Sequence, residues 1–176
     1  MNQALLIIDA QQELIEGNKN EQPVFNKEQL IASINLVIEK AVKVNVPIVF
    51  IRDLDVAEGQ GKGLENYTVF DKLATNSFHG TKLLEYLQAN NTKHLIIMGC
   101  KTQHCIDTAV RTATINGMDV TLISDGHSTT NSENLIAEQI IKHHNETLHG
   151  HYNVENFSVV RESSEDIFSP THESYR

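Results

Sequence analysis

Short aliphatic runs alternate along the chain with longer stretches in which apolar residues recur every three or four positions. The first run, residues 4–8, is wholly aliphatic and ends at Asp9, as expected of a strand that is buried on both faces of a sheet. The same analysis predicts strands at 4–8, 48–51, 67–70, 94–98, 120–123 and 157–160, and helices at 27–44, 81–90, 102–116 and 132–148. This alternation predicts an α/β fold with a parallel sheet of about six strands.

Length and charge narrow the class of protein. The 176 residues suit one domain over residues 1–176, whose last fifteen or so polar residues we expect to form an arm or a tail. The formal charge of −9 disfavours binding to nucleic acid or anionic lipid. The N-terminus lacks the features of a signal peptide, and no run approaches the roughly 20 apolar residues of a membrane span. We therefore expect a cytoplasmic protein without nucleic-acid or membrane partners.

The two cysteines differ in their expected surroundings. Cys100 lies at the end of the fourth predicted strand, where burial is expected, whereas Cys105 lies in the first turn of the next helix, with Thr102 as its predicted N-cap. A helix N-terminus favours a thiolate, and its free N–H groups can hold an oxyanion. The alternative is that Cys105 is a small buried apolar residue. A local disulfide would need a tight turn, and a cytosolic chain would keep both thiols reduced.

Three chemically useful side chains follow three different predicted strands: Asp9, Lys72 and Cys105. Taken singly, an Asp in such a place is usually a loop cap and a Lys is usually solvated. The carboxyl ends of parallel strands open on one edge of the sheet, however, and ligands bind there. Together the three residues predict a nucleophile, a base and a charge that tunes both.

Three segments carry a resemblance to a known family: residues 6–11 (LIIDAQ), Lys72 followed by residues 77–81 (SFHGT), and residues 99–105 (GCKTQHC). In this order and at these intervals, they resemble the isochorismatase-like cysteine hydrolases, which include nicotinamidases, N-carbamoyl amide hydrolases and isochorismatases. The similarity extends over about residues 4–130, and more weakly to 160. It implies a three-layer α/β/α, Rossmann-like fold with strand order 3-2-1-4-5-6, and a homodimer or homotetramer.

The resemblance also implies roles for individual residues. Cys105 would be the nucleophile, Asp9 the general base, and Lys72 the partner that pairs with Asp9 and steadies the thiolate. A non-proline cis peptide would precede Lys101, whose backbone N–H would hold the oxyanion together with the N–H of Cys105. In addition, the resemblance implies a substrate pocket lined by Phe78 and touched by Gln11.

Departures from the family narrow the predicted reaction. Nicotinamidases bind a metal through an Asp-x-His pair after the second strand and a later His, but residues 52–55 read Arg-Asp-Leu-Asp and no His precedes His79. Isochorismatases proper hydrolyse a vinyl ether and lack the nucleophilic cysteine. We therefore predict a hydrolase without metal or cofactor that cleaves a C–N bond in a small amide, ureide or imide through a thioester. Vinyl-ether hydrolysis and a non-hydrolytic thiol-redox or binding protein are the alternatives.

The remaining motifs add little chemistry. The Gly-rich segment within residues 52–66 lacks the spacing of a phosphate-binding loop and predicts a flexible loop that can act as a lid. No G-x-G-x-x-G follows the first strand, which argues against dinucleotide binding. His104 faces either the pocket or solvent. Surface positions are favoured over a weak metal site for His143, His144, His149 and His151.

Overall fold

The computed structural model describes residues 2–56, 67–169 and 172–175, so most of the predicted lid loop at 52–66 lies outside the described residues. The strands are β1 (Gln3–Ile8), β2 (Ile48–Asp53), β3 (Thr68–Lys72), β4 (His94–Cys100), β5 (Asp119–Ser128), β6 (Tyr152–Asn153) and β7 (Asn156–Arg161). The α-helices are α1 (Gln12–Glu16), α2 (Lys27–Lys43), α3 (Leu83–Ala89), α4 (Asp107–Ile115) and α5 (Ala137–Leu148). A π-helical turn (Thr102–Ile106) precedes α4, and a 3₁₀ turn (His172–Tyr175) follows the last strand.

The strands form one sheet in the order β3-β2-β1-β4-β5-β7-β6. Every neighbouring pair is parallel except β6 and β7, which form a short antiparallel hairpin. The predicted α/β class and the order of the first five strands are thus confirmed. The sheet has seven strands rather than six because the two residues of β6 pair with the start of β7, and β7 is the predicted sixth strand.

Helices cover both faces of the sheet and give the predicted three layers. Leu6 and Ile8 of β1 pack in a core with α3 and α4, whereas Leu5 and Ile7 pack in a second core with α1 and α2. Side chains of successive strand residues point to opposite faces, so a central strand between two helical layers must be apolar throughout. In the described part of the chain, no helix has the length and hydrophobicity to cross a membrane.

Strand β5 is longer than the predicted 120–123 because its polar second half bulges. Leu122 pairs with Ile97 and His127 pairs with Gly99, so four residues of β5 lie between pairing positions that one residue separates in β4. A Cβ on Gly126 would lie 2.4 Å from Cε of Met98, which leaves no room for a side chain in the bulge. The absence of a side chain at this position lets the strand resume pairing at His127.

The C-terminal segment, for which we expect an arm or a tail, packs against the domain through its described residues. Ile167 is fully buried in the core beside α2. The backbone N–H of Ser163 donates to Oδ1 of Asp125 over 2.8 Å. His172 is buried, and its Nε2 donates to the backbone oxygen of Val120 over 3.0 Å. Apolar and polar anchors together hold this segment against the domain.

Candidate active site

Asp9, Lys72 and Cys105 meet at the carboxyl edge of the sheet. Nζ of Lys72 lies 2.9 Å from Oδ2 of Asp9 and 3.5 Å from Sγ of Cys105. The negative charge of Asp9 also acts on the thiol of Cys105. Asp9 follows β1 and Cys105 follows the adjacent β4, whereas Lys72 ends β3 and reaches across β2 with its long side chain. The structure therefore brings together all three side chains that the strand ends predict.

A close approach of the β1 and β4 backbones shapes this edge. A Cβ on Gly99 would lie only 1.9 Å from the backbone oxygen of Ile8, so glycine is required there. The peptide bond between Cys100 and Lys101 is cis, as predicted. Across the gap, Asp9 has a φ of 51°, a left-handed conformation that Asp tolerates better than most residues. Local backbone geometry at both strand ends thus departs from regular structure where the site forms.

The helix that carries Cys105 begins as a π-helical turn rather than an α-helix. Its N-cap residue is Lys101, and no side chain caps it, so the prediction of Thr102 as N-cap is wrong. Thr102 is fully buried, and its hydroxyl bonds Nδ1 of His127 over 2.9 Å. The backbone N–H groups of Lys101 and Cys105 lie at this helix start, and their role as an oxyanion site stays a prediction.

Burial dominates the electrostatics of the site. Burial, and then the negative charge of Asp9, raise the pKa of Cys105 to about 11, although Lys72 opposes this. Burial also raises the pKa of Asp9 above its ordinary value, against the effect of Lys72. For Lys72, burial lowers the pKa, but the nearby carboxylates outweigh it and the net pKa lies above the ordinary value. The resting site therefore holds a neutral thiol, not the preformed thiolate that a helix N-terminus favours.

Asp53 is a member of the cluster that the prediction of site residues leaves out. Its Oδ2 lies 2.8 Å from Nζ of Lys72. The two residues are direct neighbours in the parallel pairing of β2 and β3. The position of Asp53 at a strand end is a usable signal for such a role, because strand ends share one edge of the sheet.

Gln11 and Phe78, the predicted substrate-binding residues, contact other parts of the protein. Oε1 of Gln11 accepts the backbone N–H of Asp53 over 2.8 Å, and its Nε2 donates to the backbone oxygens of Asp53 and Val56 over 3.1 and 3.2 Å. Gln11 therefore holds the segment after β2. Phe78 is half-buried against the same core cluster as Cys105. His104 is exposed. Substrate contacts of Gln11 and Phe78 stay predictions.

The residues at the end of β2 do not fit a divalent metal. Asp53 is engaged by Lys72, and the guanidinium of Arg52 pairs with both carboxylate oxygens of Asp71. These two cations would repel a metal ion at this edge. Within the described ranges, no group of three or more His, Cys, Asp or Glu residues is arranged to hold one. The α5 histidines, His143 and His144, contact each other edge to face with ring centroids 5.4 Å apart.

Besides Oδ1 of Asp9 and Oγ of Ser77, two buried oxygen atoms have no hydrogen-bond partner in the described part of the chain. They are Oε1 of Gln103, two positions before Cys105, and Oγ1 of Thr129. Thr129 directly follows Ser128, which pairs with Cys100 across the sheet. Buried polar atoms without a protein partner commonly bind water or a ligand. Sequence reasoning missed both, because polar residues in a first helical turn or after a strand are common.

Comparisons with known proteins agree with this fold. Residues 3–144 match the Isochorismatase domain family model. A segment of 64 residues is 36% identical to the uncharacterized isochorismatase family protein YrdC of Bacillus subtilis (strain 168). That match covers 36% of this chain and 34% of YrdC, so it spans about a third of the relative's length.

Solved structures extend the similarity to nearly the whole chain. An isochorismatase from Pseudomonas putida KT2440 is 26% identical, with a TM-score of 0.78 over 93% of this chain and 89% of that one. A cysteine hydrolase from Pseudomonas syringae pv. phaseolicola 1448A is 18% identical and shares the fold, with a TM-score of 0.79 over 95% of this chain and 91% of that one. Because the family model covers most of its length, the chain belongs to the isochorismatase family of hydrolases.

Proposed function

We propose that this protein is a metal-independent cysteine hydrolase that cleaves a C–N bond in a small amide, ureide or imide through a thioester intermediate. The observation that carries the proposal is the contact of Lys72 with both Asp9 and Cys105 in a buried cluster. Burying ionised groups is costly even when they are paired. Their position at the carboxyl edge of a parallel sheet, where ligands bind, supports a catalytic reason for that cost.

In the acylation step, the Sγ of Cys105 attacks the carbonyl carbon while Asp9 accepts the thiol proton. A thiol with a pKa near 11 does not release its proton in the resting enzyme. The proton instead moves as the S–C bond forms, because the negative charge passes at once to the carbonyl oxygen. When the tetrahedral intermediate collapses, the C–N bond breaks and the protonated Asp9 returns the proton to the leaving nitrogen.

In the deacylation step, water attacks the thioester carbon and Asp9 accepts one of its protons. The second tetrahedral intermediate collapses to a carboxylic or carbamic acid, and Asp9 returns its proton to the departing sulfur of Cys105. Asp9 therefore acts twice as base and twice as acid, and no proton is gained or lost by the enzyme. Lys72 stays charged throughout, because its pKa lies above the ordinary value.

The test is an assay for release of ammonia or amine across a panel of small amides, ureas and imides. We expect turnover of at least one compound by the wild-type protein, none by a Cys105→Ala variant with an unchanged circular dichroism spectrum, and an acylated Cys105 in quenched reactions analysed by mass spectrometry. Lack of ammonia or amine release with every compound would favour the thiol-redox or binding alternative. Turnover of a vinyl ether that survives Cys105→Ala but not Asp9→Asn would replace the proposal with non-covalent ether hydrolysis.

A further inference from the structure

A chain of buried hydrogen bonds runs from the helix of the nucleophile to α5. Oγ1 of Thr102 lies 2.9 Å from Nδ1 of His127, and Nε2 of His127 lies 2.8 Å from Oδ1 of Asn145. Nδ2 of Asn145 then donates to the backbone oxygen of Ser124 over 3.2 Å. Thr102 is fully buried, and His127 is 3% exposed.

The directions of the hydrogen bonds in this chain follow from its last member and from the neutral state of His127. Because the Nδ2 of Asn145 donates to a carbonyl, its Oδ1 faces His127 and accepts a proton from Nε2. A neutral imidazole that carries its proton on Nε2 presents a lone pair on Nδ1, so the hydroxyl of Thr102 must donate. Thr102 donates in this way while His127 is neutral, because a protonated imidazole would donate from both of its nitrogens.

The surroundings of His127 keep it neutral. Burial, assisted by the nearby His144 and opposed by Asn145 and Asp125, lowers the pKa of His127 to about 4. The imidazole therefore has one fixed tautomer over the physiological pH range. The bulge in β5 at Gly126 places this ring beneath the helix start, opposite Gly99.

Thr102 begins the five-residue π turn that contains Cys105, so both share one turn of backbone. π-helical turns are uncommon and often occur at functional sites. No side chain caps this helix start, and the hydroxyl of Thr102 forms a hydrogen bond with His127. The bond to His127 therefore ties the nucleophile's turn to β5 and, through Asn145, to α5.

We infer that Thr102, His127 and Asn145 form a positioning relay that holds Cys105 in contact with Asp9 and Lys72, an inference that rests on the proposed function. None of the three relay side chains needs to touch the substrate. Loss of the relay would let the turn shift by a fraction of an ångström, and the sulfur would leave the cluster that determines its reactivity. The relay residues are thus positioning residues for the nucleophile.

A second buried Thr–His hydrogen bond lies at the other end of the sheet and provides a control. Nε2 of the buried His94 lies 2.8 Å from Oγ1 of Thr121. Nε2 of Gln3 donates to Nδ1 of His94, so in the bond to Thr121 the imidazole donates and the threonine accepts. Both residues sit near the amino ends of β4 and β5, away from Cys105. Removing either threonine hydroxyl deletes one buried Thr–His hydrogen bond, but only Thr102 belongs to the nucleophile's turn.

The experiment measures the rate of Cys105 alkylation by iodoacetamide against pH, together with the free energy of unfolding in urea, for Thr102→Val, His127→Gln, Thr102→Ser and the control Thr121→Val. We expect Thr102→Val and His127→Gln to lower the midpoint of the alkylation profile by about one pH unit, because the thiol escapes burial and Asp9. One unit is a roughly tenfold faster reaction below the midpoint. Thr102→Ser, which keeps the hydroxyl, should have the same alkylation profile as the wild type.

Thr121→Val should also lower stability, because it leaves a buried imidazole group unpaired, but it should leave the alkylation midpoint unchanged. Equal midpoint shifts in Thr102→Val and Thr121→Val, or no shift in either, would overturn the relay. If Thr102→Val does not fold, the same comparison with His127→Gln decides. The variant Asp9→Asn, measured in parallel, tests the proposed function separately: an unchanged midpoint there would remove Asp9 from the nucleophile's surroundings, whatever the relay variants show.

Discussion

Lys72 and Asp53 form an ion pair across neighbouring strands, with Nζ of the lysine 2.8 Å from Oδ2 of the aspartate. The same nitrogen lies 2.9 Å from Oδ2 of Asp9. The ammonium is therefore shared between a carboxylate that we propose as the catalytic base and one that holds the lysine in place. Because Asp53 shares the ammonium, it affects how strongly Lys72 shifts the pKa values of Asp9 and Cys105.

The Asp53→Asn substitution separates these two roles. We expect a lower pKa of Lys72, since one of the groups that raise it is gone, and a loss of about 1.5–3 kcal/mol of stability from the charged hydrogen bond. Turnover should fall but persist, because Asp9 and Cys105 keep their places. Urea unfolding and kcat measure both effects. Complete loss of turnover in a folded Asp53→Asn variant would instead give Asp53 a direct part in the chemistry.

Removal of the buried ammonium should be more severe. In Lys72→Met the side-chain volume is nearly kept, but Asp9 and Asp53 lose their shared cation, and the pKa of Cys105 should rise further because Lys72 opposes its increase. We expect turnover to fall by at least about a hundredfold, in the range of lost general acid–base catalysis. The control is Lys82→Met at an exposed lysine, and equal turnover of the two variants would contradict the role of Lys72.

Two buried histidines should make the protein sensitive to acid. The pKa values are lowered, chiefly by burial, to about 4 for His127 and about 3 for His94, whereas an unfolded histidine titrates near 6.5. Between pH 6.5 and 4 the unfolded chain binds protons that the native protein does not. The contribution of the two neutral histidines to the free energy of unfolding is therefore complete above pH 6.5 and is lost as the pH falls.

Each histidine contributes a slope of up to about 1.4 kcal/mol per pH unit in that range. Burial raises the pKa of Asp9, and this makes the native protein more stable as the pH falls, opposite to the effect of the histidines. The test is therefore a comparison between variants and not the pH dependence of the wild-type protein alone. Urea unfolding of the wild type and of His94→Gln at pH 6.5, 5.5 and 4.5 measures the part of the pH dependence of stability that comes from protonation of His94. Parallel stability curves for the two proteins would show that His94 titrates normally in the native state.

A methyl group at Gly126 should damage both stability and reactivity. Its Cβ would lie 2.4 Å from Cε of Met98 and 2.8 Å from Cβ of Ile123, so Gly126→Ala should cost about 1–3 kcal/mol through overpacking. It should also displace His127 and change the alkylation of Cys105. The comparison is Gly150→Ala, where no atom lies within 4 Å and only the left-handed backbone costs about 1 kcal/mol. Gly150→Ala should leave alkylation of Cys105 unchanged.

The class of fold and the three central side chains were predictable from local pattern. An unbroken aliphatic run such as residues 4–8 has no polar face, so it must lie between two helical layers. Strands linked by helices are parallel, and their carboxyl ends share an edge, which brings Asp9, Lys72 and Cys105 within reach of one another. The short hairpin strand β6 and the packed C-terminal segment were missed, because a strand of two residues and a polar tail carry no periodic signal.

Asp53, the relay and the protonation state of Cys105 depend on contacts between residues far apart in the chain. A carboxylate or a histidine has the same local sequence signature whether it is solvated or buried, and only packing determines how much water remains around it. Lys72 and the helix start favour a thiolate, but the surrounding core and the charge of Asp9 oppose it more strongly. Periodicity and chain order could therefore predict the residues of the site, whereas their protonation depends on the three-dimensional balance between desolvation and charge.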